Sequence, residues 1–198
     1  MKTNKMNPTA LLTLVLFLSM GCENNPIEPA PESATISGTV TFSSNTFPTT
    51  AGSYVTISLQ SVWPPEGAPY DYSIISDSDL DQEYKKNYSF DNVAFGTYRA
   101  ITVSWSDPND SNPETNQHTL GAYGGEYPFF TAYGGTDPTS VTVSTTDYSK
   151  TGLNLNADLK YVVACSKLYI ESECTGQDYC TWYPAGTMGP NQTTDQCM

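Results

Sequence analysis

The chain has 198 residues and a formal net charge of −13. Acidity on this scale excludes a nucleic-acid partner, which needs a basic face to displace phosphate counterions, and an anionic membrane surface would repel it. Only 15% of residues are charged while 12% are aromatic, and abundant Tyr, Thr and Ser with frequent Gly, Pro and Asn predict an all-β extracellular chain.

The first 22 residues read as an address. Lys2 and Lys5 give a positive start, and Ala10 to Leu18 form a largely apolar run. That run is too short to span a bilayer, which takes about 20 apolar residues. With the small residues that follow, it reads as a secretory signal with a cleavage site. The Gly21-Cys22 step resembles the lipobox of bacterial lipoproteins. In that family the cysteine thiol receives a diacylglycerol and becomes the new N-terminus. The family favours Leu three residues before the cysteine; here Ser19 holds that place and Leu18 lies one earlier. The resemblance implies that residues 1–21 are removed and that Cys22 is lipidated. It also implies an exported, membrane-anchored protein at the outer membrane or cell surface of a bacterium. Residues 22–198 keep six Lys and Arg against 21 Asp and Glu, a net charge of −15.

Residues 22–33 form a Pro- and Glu-rich tether, semi-extended and solvated. Period-2 alternation then begins. Ile36, Gly38, Val40 and Phe42 make one strand, Val55, Ile57 and Leu59 a second, and Tyr70, Tyr72 and Ile74 a third. Ser76 to Glu83 is an acidic loop or a single helical turn. Tyr88, Phe90 and Val93 mark the next strand, and Gly96 turns the chain into Thr97 to Trp105. Val141 and Val143, then Leu153 and Leu155, mark the last strands of residues 34–160. This spacing predicts an antiparallel β-sandwich of about seven or eight strands. Its predicted core is Ile36, Val40, Val55, Ile57, Leu59, Phe90, Val93, Tyr98, Leu153 and Leu155.

Ile36-Ser-Gly-Thr-Val-Thr-Phe42 and Tyr88-Ser-Phe-Asp-Asn-Val-Ala-Phe-Gly-Thr-Tyr98 resemble two segments of the carboxypeptidase-regulatory-like domains, a transthyretin-like β-sandwich group. The resemblance implies a sandwich over residues 34–160 and a hairpin at 88–98. In bacteria such domains are mostly non-catalytic surface modules. Two departures stand out: the family's T-D-G-x-F turn is absent before Tyr88, and residues 106–139 form a longer insertion than the family carries. Inside it, Gly121-Ala-Tyr-Gly-Gly125 is echoed by Thr131-Ala-Tyr-Gly-Gly135. The preferred reading is a hairpin whose tyrosines cover the sheet edge. The other is an aromatic loop that stacks on a sugar.

Residues 161–198 change character. Tyr161 to Ile170 is predicted as a last strand. Cys165, Cys174, Cys180 and Cys197 follow in an apolar-poor stretch, where an exported chain needs staples. Two disulfides follow, with three possible connectivities. Cys165–Cys180 with Cys174–Cys197 is the preferred pairing. The spacings do not suit zinc, with no C-x-x-C and no nearby histidine. Cys22 is the odd cysteine, as lipid attachment requires.

No catalytic constellation is evident. The one histidine, His118, lies in a polar stretch and is expected on an exposed loop. No G-x-S-x-G elbow surrounds any serine. Asp77, Asp79 and Asp81 form one carboxylate cluster, and Asp107, Asn109 and Asp110 a second. Hard oxygens at such spacing can hold Ca²⁺; turn chemistry with Asx caps is the preferred reading, and no other cofactor is expected. Trp63, Tyr123, Phe129, Phe130, Tyr133 and Trp182 are candidate binding aromatics, whereas Trp105 is expected in the core. Three function classes follow. The first is a non-catalytic, lipid-anchored envelope protein acting as a display or interaction module, whose partner is an envelope protein or a surface glycan. The second is a carbohydrate-binding module using exposed aromatics. The third is a surface hydrolase.

Overall fold

The computed structural model describes residues 29–198 except 49, 113–115, 164 and 188–191, so Cys22, the signal segment and most of the tether lie outside the described residues. In chain order the elements are β1 (Ala34–Phe42), β2 (Tyr54–Gln60), β3 (Asp71–Ile75), β4 (Lys85–Val93), β5 (Gly96–Tyr98) and β6 (Ala100–Ser106). They continue with β7 (Gln117–Ala122), β8 (Val141–Val143), β9 (Ser149–Lys150), β10 (Leu155–Ala157), α1 (Glu171–Cys174), β11 (Trp182–Tyr183) and β12 (Gln196–Cys197). The chain is all-β, with short helical turns between strands.

Strand β1 carries the first sheet. Its alternation buries Ile36, Val40 and Phe42. Gly38 takes the inward position between Ile36 and Val40 for a steric reason: a Cβ there would lie 2.3 Å from the Leu153 carbonyl oxygen. The Leu153 backbone fills that space. Its N–H donates to the Ser37 carbonyl at 3.1 Å, and its carbonyl accepts from the Tyr88 hydroxyl at 2.6 Å. One edge of β1 pairs antiparallel with β4. The β9 and β10 segments pair with β1 in parallel. Parallel pairing requires a long crossover, and here the intervening chain supplies it. Alternation within a segment does not reveal that direction.

The second sheet has the order β3-β2-β6-β7, antiparallel throughout. Val55, Ile57 and Leu59 of β2 and Ile101, Val103 and Trp105 of β6 are buried. Edge strand β3 takes the opposite phase from the Tyr70-Tyr72-Ile74 pattern. The register Val55↔Ile75 puts Ile75 on the buried face and leaves Tyr72 and Ile74 exposed. Buried side chains from both sheets join one apolar cluster. Every predicted core residue is buried except Leu153, which is partly buried because its backbone, not its side chain, crosses β1.

The 88–98 segment differs from a hairpin. Phe90, Val93 and Tyr98 are buried as expected. Strand β5, however, pairs with β8 rather than with β4. The left-handed residue is Asn92, with φ of 56°, and not Gly96. The Tyr98 hydroxyl donates back to the Ala94 carbonyl at 2.9 Å and locks the corner. The insertion also differs, since its first half supplies edge strand β7.

Among the described residues of 161–170 no strand forms. Instead 3-10 turns run over Leu159–Val162 and Cys165–Lys167, followed by α1. Cys165 bonds Cys180 and Cys174 bonds Cys197, the pairing preferred from sequence. Cys165, Cys174 and Cys197 are buried, with Tyr127, Leu168, Tyr179 and Trp182 packed around them. Tyr127 comes from the insertion, so the small core of the C-terminal segment is completed by the β-domain. Lys167 adds ion pairs to Asp107 at 3.1 Å and Asp110 at 2.7 Å. Residues 31–198 accordingly form one compact unit.

Two outcomes test this account. Leu59→Ala removes a fully buried side chain and should cost about 2–5 kcal/mol, read as a lower denaturation midpoint at unchanged slope. Reduction should release a constraint of about 2–4 kcal/mol per disulfide. Amide exchange should then rise across 165–198 while β2 and β6, whose core contains no cysteine, stay protected.

Candidate functional site

Phe129 organises the surface between β7 and β8. Its φ of 66° is left-handed, a genuine outlier for a bulky side chain. That backbone sends its two ends to different tasks. The ring is buried, with 4% exposed. The carbonyl accepts a hydrogen bond from the Trp63 indole nitrogen at 3.1 Å. Trp63 then stacks on Phe130, with ring centroids 5.2 Å apart and planes 19° apart. Phe130 meets Tyr133 edge-on at 6.0 Å. Trp63, Phe130 and Tyr133 thus form one surface cluster drawn from two distant segments.

The two Ala-Tyr-Gly-Gly repeats form turns rather than strands. Gly125 N–H donates to the Ala122 carbonyl, and Gly134 N–H to the Thr131 carbonyl. The tyrosines diverge: Tyr123 packs against the core, whereas Tyr133 is 65% exposed. Trp182 packs on the buried cysteines and is only partly exposed. Of the six candidate aromatics, Trp63, Phe130 and Tyr133 come together at the surface. Phe129 lies beneath them, and Tyr123 and Trp182 lie elsewhere.

On the ring side of Phe129, the ends of β1 and β10 and the insertion enclose a depression of about 470 Å³. Phe42, Leu120 and Phe129 contribute its apolar surface, and Tyr127 and Tyr161 also line it. Thr41, Ser43, Glu126, Asn156 and Asp158 supply the polar lining. Tyr127 and Tyr161 stack with centroids 4.0 Å apart and planes 11° apart, and Tyr179 closes on both edge-on. The Tyr127 hydroxyl lies 3.3 Å from Cys165 Sγ. Burial, reinforced by the neighbouring Tyr161, pushes the Tyr127 phenol up to about 12. It therefore stays neutral. Glu126, Tyr127, Asn156, Asp158 and Tyr161 were not singled out by sequence reasoning. Tyr127 carries a faint signal, since it sits between the two repeats; Tyr161 carries none, because its partner is over thirty residues away.

The acidic clusters are occupied with local structure. The Asp79 carboxylate accepts from the Ser76 N–H and hydroxyl, and Asp81 accepts from the N–H groups of Glu83 and Lys85. Asp77 accepts from the Ser78 N–H at 2.8 Å. The Ser76–Asp79 bonds cap a 3-10 turn over Asp77–Asp79, and the Asp81 bonds close the turn that follows it. In the second cluster Asp107 accepts from the Asn109 N–H, and the Lys167 ammonium is paired with both Asp107 and Asp110. In this cluster the Lys167 side chain supplies a positive charge to both carboxylates. Among the described residues, the group with metal-ligand atoms close together is Cys165, Cys180 and Cys197, and all three are in disulfides.

His118 is not on an exposed loop. It lies on β7, 7% exposed, because the register Trp105↔His118 turns it to the buried face. Its ring meets Trp105 edge-on at 5.1 Å, and Nδ1 lies 2.6 Å from the Val162 carbonyl oxygen. That distance is a hydrogen bond, so Nδ1 carries the proton. His118 thereby ties β7 to the C-terminal segment. Nε2 is buried with no hydrogen-bond partner among the described residues. Burial is the main influence holding the imidazole below the ordinary histidine value. The Lys167 charge lowers it further, against the Val162 carbonyl and the Asp107 and Asp110 carboxylates.

A pH dependence follows. With the folded value below the unfolded value of about 6.5, the unfolded chain binds the extra proton first. The His118 contribution is therefore complete above about pH 6.5 and is lost as pH falls below it. Urea midpoints between about pH 7 and 5 should decline with acidification, and His118→Gln should flatten that slope. An equal slope in the variant would assign the dependence to other groups. No family model matches the chain, and no curated protein or solved structure matches it.

Proposed function

We propose that this is a non-catalytic, lipid-anchored cell-envelope protein whose β-domain serves as an interaction module. The carrying observation is the cysteine inventory. All four cysteines of the C-terminal segment are paired with one another, which leaves Cys22 as the odd cysteine directly after a secretory signal. Disulfides suit an oxidising compartment, in agreement with export. The short tether would hold the β-domain off the lipid. The enclosure of His118 between Trp105 and Val162 supports the non-catalytic reading, since a general base must reach substrate.

A second reading specifies the partner as a glycan. It is favoured by the depression that Tyr127, Phe129 and Tyr161 line. Aromatic faces beside hydroxyl, amide and carboxylate groups match the two chemistries of a sugar ring, apolar C–H faces and a polar rim.

Anchoring is tested by intact-mass analysis of membrane-extracted protein, which should find chains beginning at an acylated Cys22. Cys22→Ser should move the protein from the membrane to the soluble fraction. Recovery of an unacylated N-terminus at another residue would reject the anchor.

A further inference from the structure

We propose that the depression between β1, β10 and the insertion is a binding site for a single neutral sugar ring, the terminal or exposed unit of a glycan. The inference rests on the reading of this protein as a non-catalytic binding module and names its ligand class and place. Three observations carry it. At about 470 Å³ the depression falls within the range of small-molecule sites. Its aromatic lining is the partly exposed pair Tyr127 and Tyr161, set over the buried Phe42, Leu120 and Phe129. Its rim gathers hydroxyl, amide and carboxylate groups: Thr41, Ser43, Asn156, Glu126 and Asp158.

Charge decides among ligand classes. Two carboxylates line the depression, and Lys160 beside it is paired with the Asp158 and Asp178 carboxylates. A phosphate, sulfate or carboxylate ligand would meet like charge there, on a chain of net charge −13. A cationic ligand fails for a different reason. Lys160 already occupies the cation position, 3.8 Å from the Asp158 carboxylate and 5.3 Å from the centroid of the Tyr161 ring. A neutral polyol meets neither conflict. Rim groups retain capacity for it. Ser43 Oγ accepts from the Leu159 N–H at 3.1 Å, which leaves its own proton to donate. The Glu126 carboxylate accepts from the Thr136 hydroxyl through Oε2, at 3.3 Å. Phe129, whose left-handed backbone is held by the surrounding packing, lines the depression, and its carbonyl accepts from the Trp63 indole N–H.

The test uses the full mature protein, extracted with its lipid in detergent micelles, on an array of neutral, amino and anionic glycans. Neutral glycans should be retained, and anionic ones should not. Titration of the best neutral glycan should then show binding weakened at least about tenfold in Glu126→Gln and in Asn156→Ala, as expected for loss of a hydrogen bond to a ligand hydroxyl. Both positions are on the rim, so their melting profiles should match the parent. Tyr133→Ala should bind normally. Absence of binding to every neutral glycan overturns the proposal. So does a neutral glycan whose binding survives both rim variants and is lost in Tyr133→Ala, which would move the site to the Trp63 cluster and leave the binding-module reading standing. Cleavage of a retained glycan would instead overturn the non-catalytic reading itself.

Discussion

Two backbone approaches without room for a side chain hold this structure together. At Gly38 the Leu153 carbonyl oxygen comes within 2.3 Å of where a Cβ would lie, and at Gly121 the Asn156 carbonyl comes within 2.0 Å. The segment 149–157 is thus pressed against β1 of one sheet and β7 of the other. Leu155 and Ala157 of this segment belong to the apolar cluster to which both sheets contribute. Close approach makes the packing contribution of the glycines positional: any Cβ would push backbone away from backbone, which cannot yield as a flexible side chain can.

The surface features descend from that seam. Past β10 the chain leaves β1 beside the end of β7, with the Asp158 N–H bonded to the Leu120 carbonyl at 2.9 Å. Tyr161 therefore arrives against Tyr127 of the insertion, and their stack is completed by Tyr179. The depression exists because β1, β10 and the insertion meet there without filling the space between them. The disulfides act on the same region from behind. Cys165–Cys180 ties the turn after Tyr161 to the residue beside Tyr179, so the clasp around Tyr127 is covalently braced.

Electrostatics separate structure from candidate function. The carboxylate clusters that looked suited to a metal are used for capping or are paired with Lys167. The buried His118 contributes packing and one hydrogen bond. What remains open to a ligand is uncharged or weakly acidic surface, with aromatic rings fixed by their neighbours. Fixed rings lose little freedom when something docks, which favours binding by preorganisation.

Much of this protein was written into local pattern. Period-2 alternation located β1 and β2, because apolar and polar residues alternate along them, while β6 was marked by the turn signal at Gly96. Cysteine content in an apolar-poor segment implied two disulfides, because so small a core cannot offset its ordering entropy alone. Other features depended on partners far away in sequence. The phase of β3 was set by its register with β2, so Ile75 rather than Ile74 went inward. His118 sat in a polar stretch and was buried only because Trp105 lies opposite it. The parallel run along β1 left no trace in sequence, since alternation has no direction. The depression drew its residues from β1, β7, β10, the insertion and the turn after β10. Composition and short-range periodicity alone marked an acidic, all-β chain with two disulfides towards its C-terminal end. Which aromatics meet and which carboxylates are paired was settled in three dimensions, because those contacts join residues far apart in the chain, as at Trp63 with Phe130 and Asp107 with Lys167.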